Sequence, residues 1–175
     1  MLAGCSGPSD DAAAPAADSQ AQSTTSADQS EGKNGNAGKL GERFEMSKMP
    51  DNDIFVTVQD IKLGGECANG GANPGEEVDD LEGKQYLQLW AEIDVERLDN
   101  PGPFPYGSLL FPDYVDAEGF TSTSEPAFDC QEVDGHEPWG DPVYPGNKSR
   151  MYGAFIVPEG ITEVHVEGRS FKVEG

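Results

Sequence analysis

From Tyr86 to Glu96 the side chains alternate without a break. Leu87, Leu89, Ala91, Ile93 and Val95 fall on one side, and Gln88, Trp90, Glu92, Asp94 and Glu96 on the other. Successive side chains of a strand point to opposite faces. This stretch therefore predicts a strand with one face in a core and the other toward water, the geometry of an antiparallel sheet. The same period of two runs through Ile54-Phe55-Val56-Thr57-Val58, slips at Gln59-Asp60 and resumes with Ile61 and Leu63. One extra residue, a β-bulge, produces such a slip.

Further strands are expected around 108–115, 149–157, 162–166 and 170–173. Turn residues separate them at Asp116-Ala117-Glu118-Gly119, Pro145-Gly146, Pro158-Glu159-Gly160 and Glu167-Gly168. No segment carries a helical period. Seven or so short strands at this spacing predict an all-β chain folded as an antiparallel β-sandwich. With 175 residues there is room for one domain with a real core and hardly for two.

Three stretches resemble a known family. Lys84-Gln85-Tyr86-Leu87 with Ala91-Glu92-Ile93-Asp94-Val95 is similar to the central strand of the telokin-like, immunoglobulin-like domains of unknown function on Gram-positive, notably actinobacterial, lipoproteins. Tyr144-Pro145-Gly146 with Gly153-Ala154-Phe155-Ile156-Val157-Pro158 resembles a turn and strand of that family, and Tyr114-Val115-Asp116-Ala117-Glu118-Gly119 resembles its hairpin. The likeness spans roughly residues 52 to 168. These are core and turn motifs, so they imply an immunoglobulin-like sandwich and no catalytic residues. The chain departs from the family pattern in an acidic insert over 64–83 and in a second loop around Cys130.

The first residues, Met1-Leu2-Ala3-Gly4-Cys5, resemble a bacterial lipobox. The resemblance implies a signal remnant over 1–5, lipidation of the Cys5 thiol and anchoring to the outer face of a membrane, stable with two or three acyl chains. Only four residues precede Cys5, so the basic and apolar parts of such a signal are expected upstream of Met1. Residues 6–48 are read as a disordered tether, and 49–175 as the domain. From Ser6 to about Leu40 there is no Val, Ile or aromatic residue to repay ordering entropy. Such a spacer reaches on the order of 35 Å.

Three cysteines are present. A lipid on Cys5 leaves Cys67 and Cys130, and outside the cytoplasm a remaining pair is normally a disulfide. Two free buried thiols are the alternative. No Cys-x-x-Cys or histidine pair accompanies either residue, which disfavours zinc. A disulfide would bring two acidic loops together, 64–83 and 129–141, with Glu66, Asp129 and Glu132 close to the bridge. Oxygen-rich loops can hold calcium, but no EF-hand spacing occurs. A solvated acidic surface is the plainer reading, and no cofactor is required.

Thirty-three acidic against eleven basic residues give a net charge of −22. That field repels phosphate backbones and excludes nucleic acid as a partner. There is no Gly-x-Ser-x-Gly elbow, no phosphate loop and no His-Glu-x-x-His. His165 is expected on an outward strand face, and His136 has no serine or cysteine beside it to activate. Enzymatic function is not expected. Trp90, on the polar face of the best strand, and Trp139, beside Pro138 and Gly140, are candidate interface residues, with burial at the edge of the core as the alternative for each. The leading expectation is a lipid-anchored, extracytoplasmic, non-catalytic domain. It would bind an envelope protein or serve as accessory subunit of a membrane complex. A cation or small-ligand module using the two acidic loops is the alternative.

Overall fold

The computed structural model describes residues 36–46, 52–69, 81–99 and 103–174. Cys5, most of the expected tether and Glu76, Glu77, Asp79 and Asp80 lie outside the described residues. Ten strands form the fold, and no α-helix occurs among the described residues. They are β1 (Arg43–Glu45), β2 (Asn52–Leu63), β3 (Lys84–Leu98), β4 (Asp113–Val115), β5 (Thr121–Thr123), β6 (Glu125–Pro126), β7 (Glu137–Pro138), β8 (Asn147–Pro158), β9 (Glu163–Val166) and β10 (Arg169–Lys172). One sheet has the order β1-β2-β3-β8-β6, with β7 also on β8, and the other β10-β9-β4-β5. All pairs are antiparallel except β7 with β8. The expected all-β sandwich is therefore the observed fold.

Its inner layer is the alternation read from the sequence. Ile54, Val56 and Val58 of β2, Leu87, Leu89, Ile93 and Val95 of β3, and Met151, Phe155 and Val157 of β8 are essentially inaccessible to solvent. They meet Val164, Val166 and Phe171 of the second sheet in one cluster. The slip at Gln59 is a bulge, because Val58 pairs with Ala91 and Asp60 with Trp90, leaving Gln59 unpaired.

Two expectations are corrected. The tether was to run to residue 48, yet β1 pairs with β2 through Phe44 and Val56, and Phe44 and Met46 are buried. These two apolar side chains explain the difference: they close the edge of the core, so the domain reaches back at least to Asn36. The strand expected over 108–115 is also shorter. Only Asp113–Val115 is strand. The residues before it run as an extended segment anchored by Gly107, which exchanges two backbone hydrogen bonds with Val143.

Candidate functional site

The outward face of β3 is not uniformly wet. Cys67 and Cys130 are joined by a disulfide with Cα atoms 5.4 Å apart, as cysteine parity suggests. The bridge ties the ends of two loops over Tyr86, Tyr152 and Ala154, and Leu81, Trp90, Val133 and Ile156 pack around them. Gln88, fully buried, satisfies this second layer. Its Oε1 accepts from Ala68 N at 2.8 Å and from the Tyr152 hydroxyl at 2.8 Å, while its Nε2 donates to Glu66 O at 3.1 Å. The Tyr86 hydroxyl donates to Asp129 Oδ2 at 2.6 Å. Burial pushes the Tyr152 hydroxyl up to about 12; the Ala68 amide opposes this and the Asp129 charge adds to it. This is a small, polar-stitched satellite core.

A second cluster lies toward the other end of the same face. Asp94, largely buried, takes Arg43 at 2.9 Å and Lys148 at 2.8 Å. Burial alone would raise its carboxyl, but the hydrogen bonds and charges of Lys148 and Arg43 prevail and hold it below the ordinary aspartate range. Every partner is in place, so the cluster is a strap between β1, β3 and β8.

An opening with an apolar floor lies elsewhere, where the segment before β4 passes the turns after β7 and β9. It is a cleft of about 820 Å³ lined by Leu109, Leu110, Phe111, Trp139, His165 and Glu167 among others. Leu110 is 51% and Phe111 49% exposed, whereas Leu109 beside them is buried. The Phe155 ring lies beneath, 5.8 Å from Phe111 and 5.9 Å from Trp139 between ring centroids. Trp139 can lie this close because residue 153 is glycine: a Cβ there would stand 2.6 Å from the Trp139 Cβ. The Trp139 indole donates to Leu110 O at 2.9 Å, and Glu167 Oε1 accepts from Leu110 N at 2.7 Å. Both backbone groups of Leu110 are thus held, and its side chain is left at the surface.

Glu167 reaches that position from an unusual backbone. Its φ is 47°, the only positive φ of a non-glycine residue among those described. With Gly168 (φ 79°) it makes the tight turn between β9 and β10. Left-handed φ at both central positions is the hairpin geometry that favours Asn, Asp or Gly. A glutamate there carries strain of order 1 kcal/mol or more. The carboxylate is buried, at 6% exposure.

No family model matches the chain, and no curated protein does. Two solved structures are similar to it. MPT63, a secreted protein from Mycobacterium tuberculosis, matches with 14% identity and a TM-score of 0.44, over 78% of this chain and 96% of its own. An uncharacterized β-sandwich protein from Clostridium difficile 630 matches with 13% identity and a TM-score of 0.46, over 78% of this chain and 92% of its own.

The residues singled out from the sequence divide between these places. Asp129 turns inward to Tyr86, whereas Glu66 and Glu132 stay at the surface. Among the described residues no group of three His, Cys, Asp or Glu comes together to hold a metal ion. The disulfide draws the ends of the loops together, and Asp129 Oδ2 caps the buried Tyr86 hydroxyl. Trp139 follows the burial reading. It is 6% exposed and supports the cleft from below. Trp90 is half-buried against Tyr152, with centroids 5.1 Å apart. It borders a smaller polar opening with His136 and Arg150. His165 is partly covered and lies 3.4 Å from Glu163. The sequence pattern places the exposed pair Leu110-Phe111 only within an expected strand. Its one signal was local: Ser108-Leu109-Leu110-Phe111 breaks the alternation, placing adjacent apolar residues where a half-buried strand has room for every second one.

Proposed function

We propose that this chain is a non-catalytic, protein-binding domain held at the outer face of a membrane by lipid on Cys5, and that it docks its partner at the Leu110-Phe111 cleft. One observation carries the docking reading: two adjacent large apolar side chains stand half-exposed over an apolar floor while the backbone of Leu110 is fixed on both sides. Exposed apolar groups on a rigid frame are what protein interfaces use for anchors, and holding them in place before contact lowers the entropy lost on binding. The lipobox-like start and the disulfide support an extracytoplasmic location. No helix among the described residues is long and apolar enough to cross a membrane, so an anchor on Cys5 would supply the attachment.

The test uses the native protein and a Leu110→Ser/Phe111→Ser variant, each expressed in the native cells and crosslinked before detergent extraction. A partner recovered with the native chain and reduced about tenfold or more with the variant supports the reading. Equal recovery refutes it. Intact mass of the same extracts checks the anchor: a diacylglyceryl adduct on Cys5 is expected, and an unmodified thiol there removes the localisation.

A further inference from the structure

We infer that the occupant of the cleft is a basic segment of the partner, in which an apolar side chain seats against Leu110, Phe111 and the edge of Trp139 while flanking lysines or arginines meet the cleft's carboxylates. The inference rests on the docking reading and adds the chemistry of the partner.

The carboxylates at the cleft come from three separate elements. Asp113 projects from β4, Asp141 from the turn after β7, and Glu167 from the β9–β10 turn; no lysine or arginine shares the lining. Asp113 is steadied by the Thr123 hydroxyl at 2.7 Å, and Glu167 by the Leu110 amide. Asp113 and Glu167 are therefore fixed beside the apolar floor before anything binds, and Asp141 is exposed to solvent. A neutral apolar partner would have to desolvate or approach these carboxylates without return, whereas a cationic one replaces lost hydration with charge-assisted hydrogen bonds. An acidic segment would meet repulsion at every wall. On the outward face of β2 and β3, by contrast, Asp94 takes Arg43 and Lys148, and Asp53 takes Arg97. The net charge of −22 adds long-range attraction for the same class of partner and suppresses self-association.

Local recognition is separable from that general attraction. The probe is a short labelled peptide alternating lysine with phenylalanine and leucine, read by fluorescence anisotropy on the full chain. Its comparisons are a glutamate-for-lysine peptide and a serine-for-apolar peptide. Binding of the first alone is expected. Asp113→Asn/Asp141→Asn should weaken it roughly fivefold or more, whereas Glu118→Gln/Glu125→Gln, which removes equal charge from exposed positions outside the cleft, should change it less than about twofold. Equal effects of the two variants, or equal binding of the glutamate peptide, overturn the inference. If the Leu110→Ser/Phe111→Ser variant loses its crosslinked partner while Asp113→Asn/Asp141→Asn keeps it, docking stands and the basic partner falls. If neither variant loses it, docking itself falls. Self-association of the native chain in sedimentation, abolished by Leu110→Ser/Phe111→Ser, would put a second copy in the cleft and overturn the inference.

Discussion

At the scale of single residues, Glu167 joins strain, packing and the proposed interface. Its backbone would suit glycine, but its carboxylate fixes the amide of Leu110. Glu167→Ala keeps the unfavourable φ and leaves that amide without its acceptor, and should lower stability by about 1–3 kcal/mol. Glu167→Gly loses the same bond but relieves the strain, and should be milder by about 1 kcal/mol. Urea unfolding of both separates the two contributions; glycine proving as harmful as alanine would show that φ 47° is not strained. Tyr152 gives a pH signature. Its folded value of about 12 stands above the ordinary 10, so the unfolded chain releases the proton first. The stability involved is complete below pH about 10 and is lost as pH rises toward 12. Tyr152→Phe should flatten that part of the alkaline stability profile. A profile unchanged by the substitution would mean that the hydroxyl is not buried as described.

At the scale of elements, β3 shows how far a pattern reaches. Its inward face and the bulge opposite it on β2 were legible because alternation over a long strand admits one register: a slip by one residue would put five aliphatic side chains into water. Its outward face was not. Gln88 and Asp94 have the residue types of a wetted surface, yet both are buried, because the segment at Glu66 and Ala68 returns over Gln88 while Arg43 of β1 and Lys148 of β8 close on Asp94. Strands β1, β6 and β7, each of two or three residues, carry no readable period; the open edges of β2 and β8 make them strands. The disulfide maintains the second layer. Replacing both cysteines, Cys67→Ser/Cys130→Ser, should cost about 4 kcal/mol for a separation of 63 residues. It should also shift Trp90 emission to the red as the cover loosens, with Trp139 in the main core unaffected. Tryptophan-to-phenylalanine variants assign the change, and an unshifted Trp90 would show that the loops hold without the bridge.

At the scale of the whole molecule, the two sheets are joined by more than their shared core. Before β1 the chain bonds to the edge of β10, with Gly38 N donating to Ser170 O and Ser170 N to Asn36 O, and then crosses to β2, where Gly41 N donates to Val58 O. Gly38 lies flat on the Phe171 ring. Residues 36–46 thus link both layers at the point where the expected tether enters. A chain starting at residue 49 should lose about 3 kcal/mol or more through Phe44 and Met46 alone, measured by denaturant midpoint. Unchanged stability would return this segment to the tether. The sequence by itself determined what short-range chemistry determines: the long strands by alternation, their turns by Gly, Pro and Asp, and the available disulfide partners by parity. Tertiary structure alone decided that Asp129 turns inward to a tyrosine, that Trp139 lies under the surface, and that Leu110 and Phe111 remain above it. Burial depends on which distant segment arrives to cover a side chain, and no local pattern of residues encodes that.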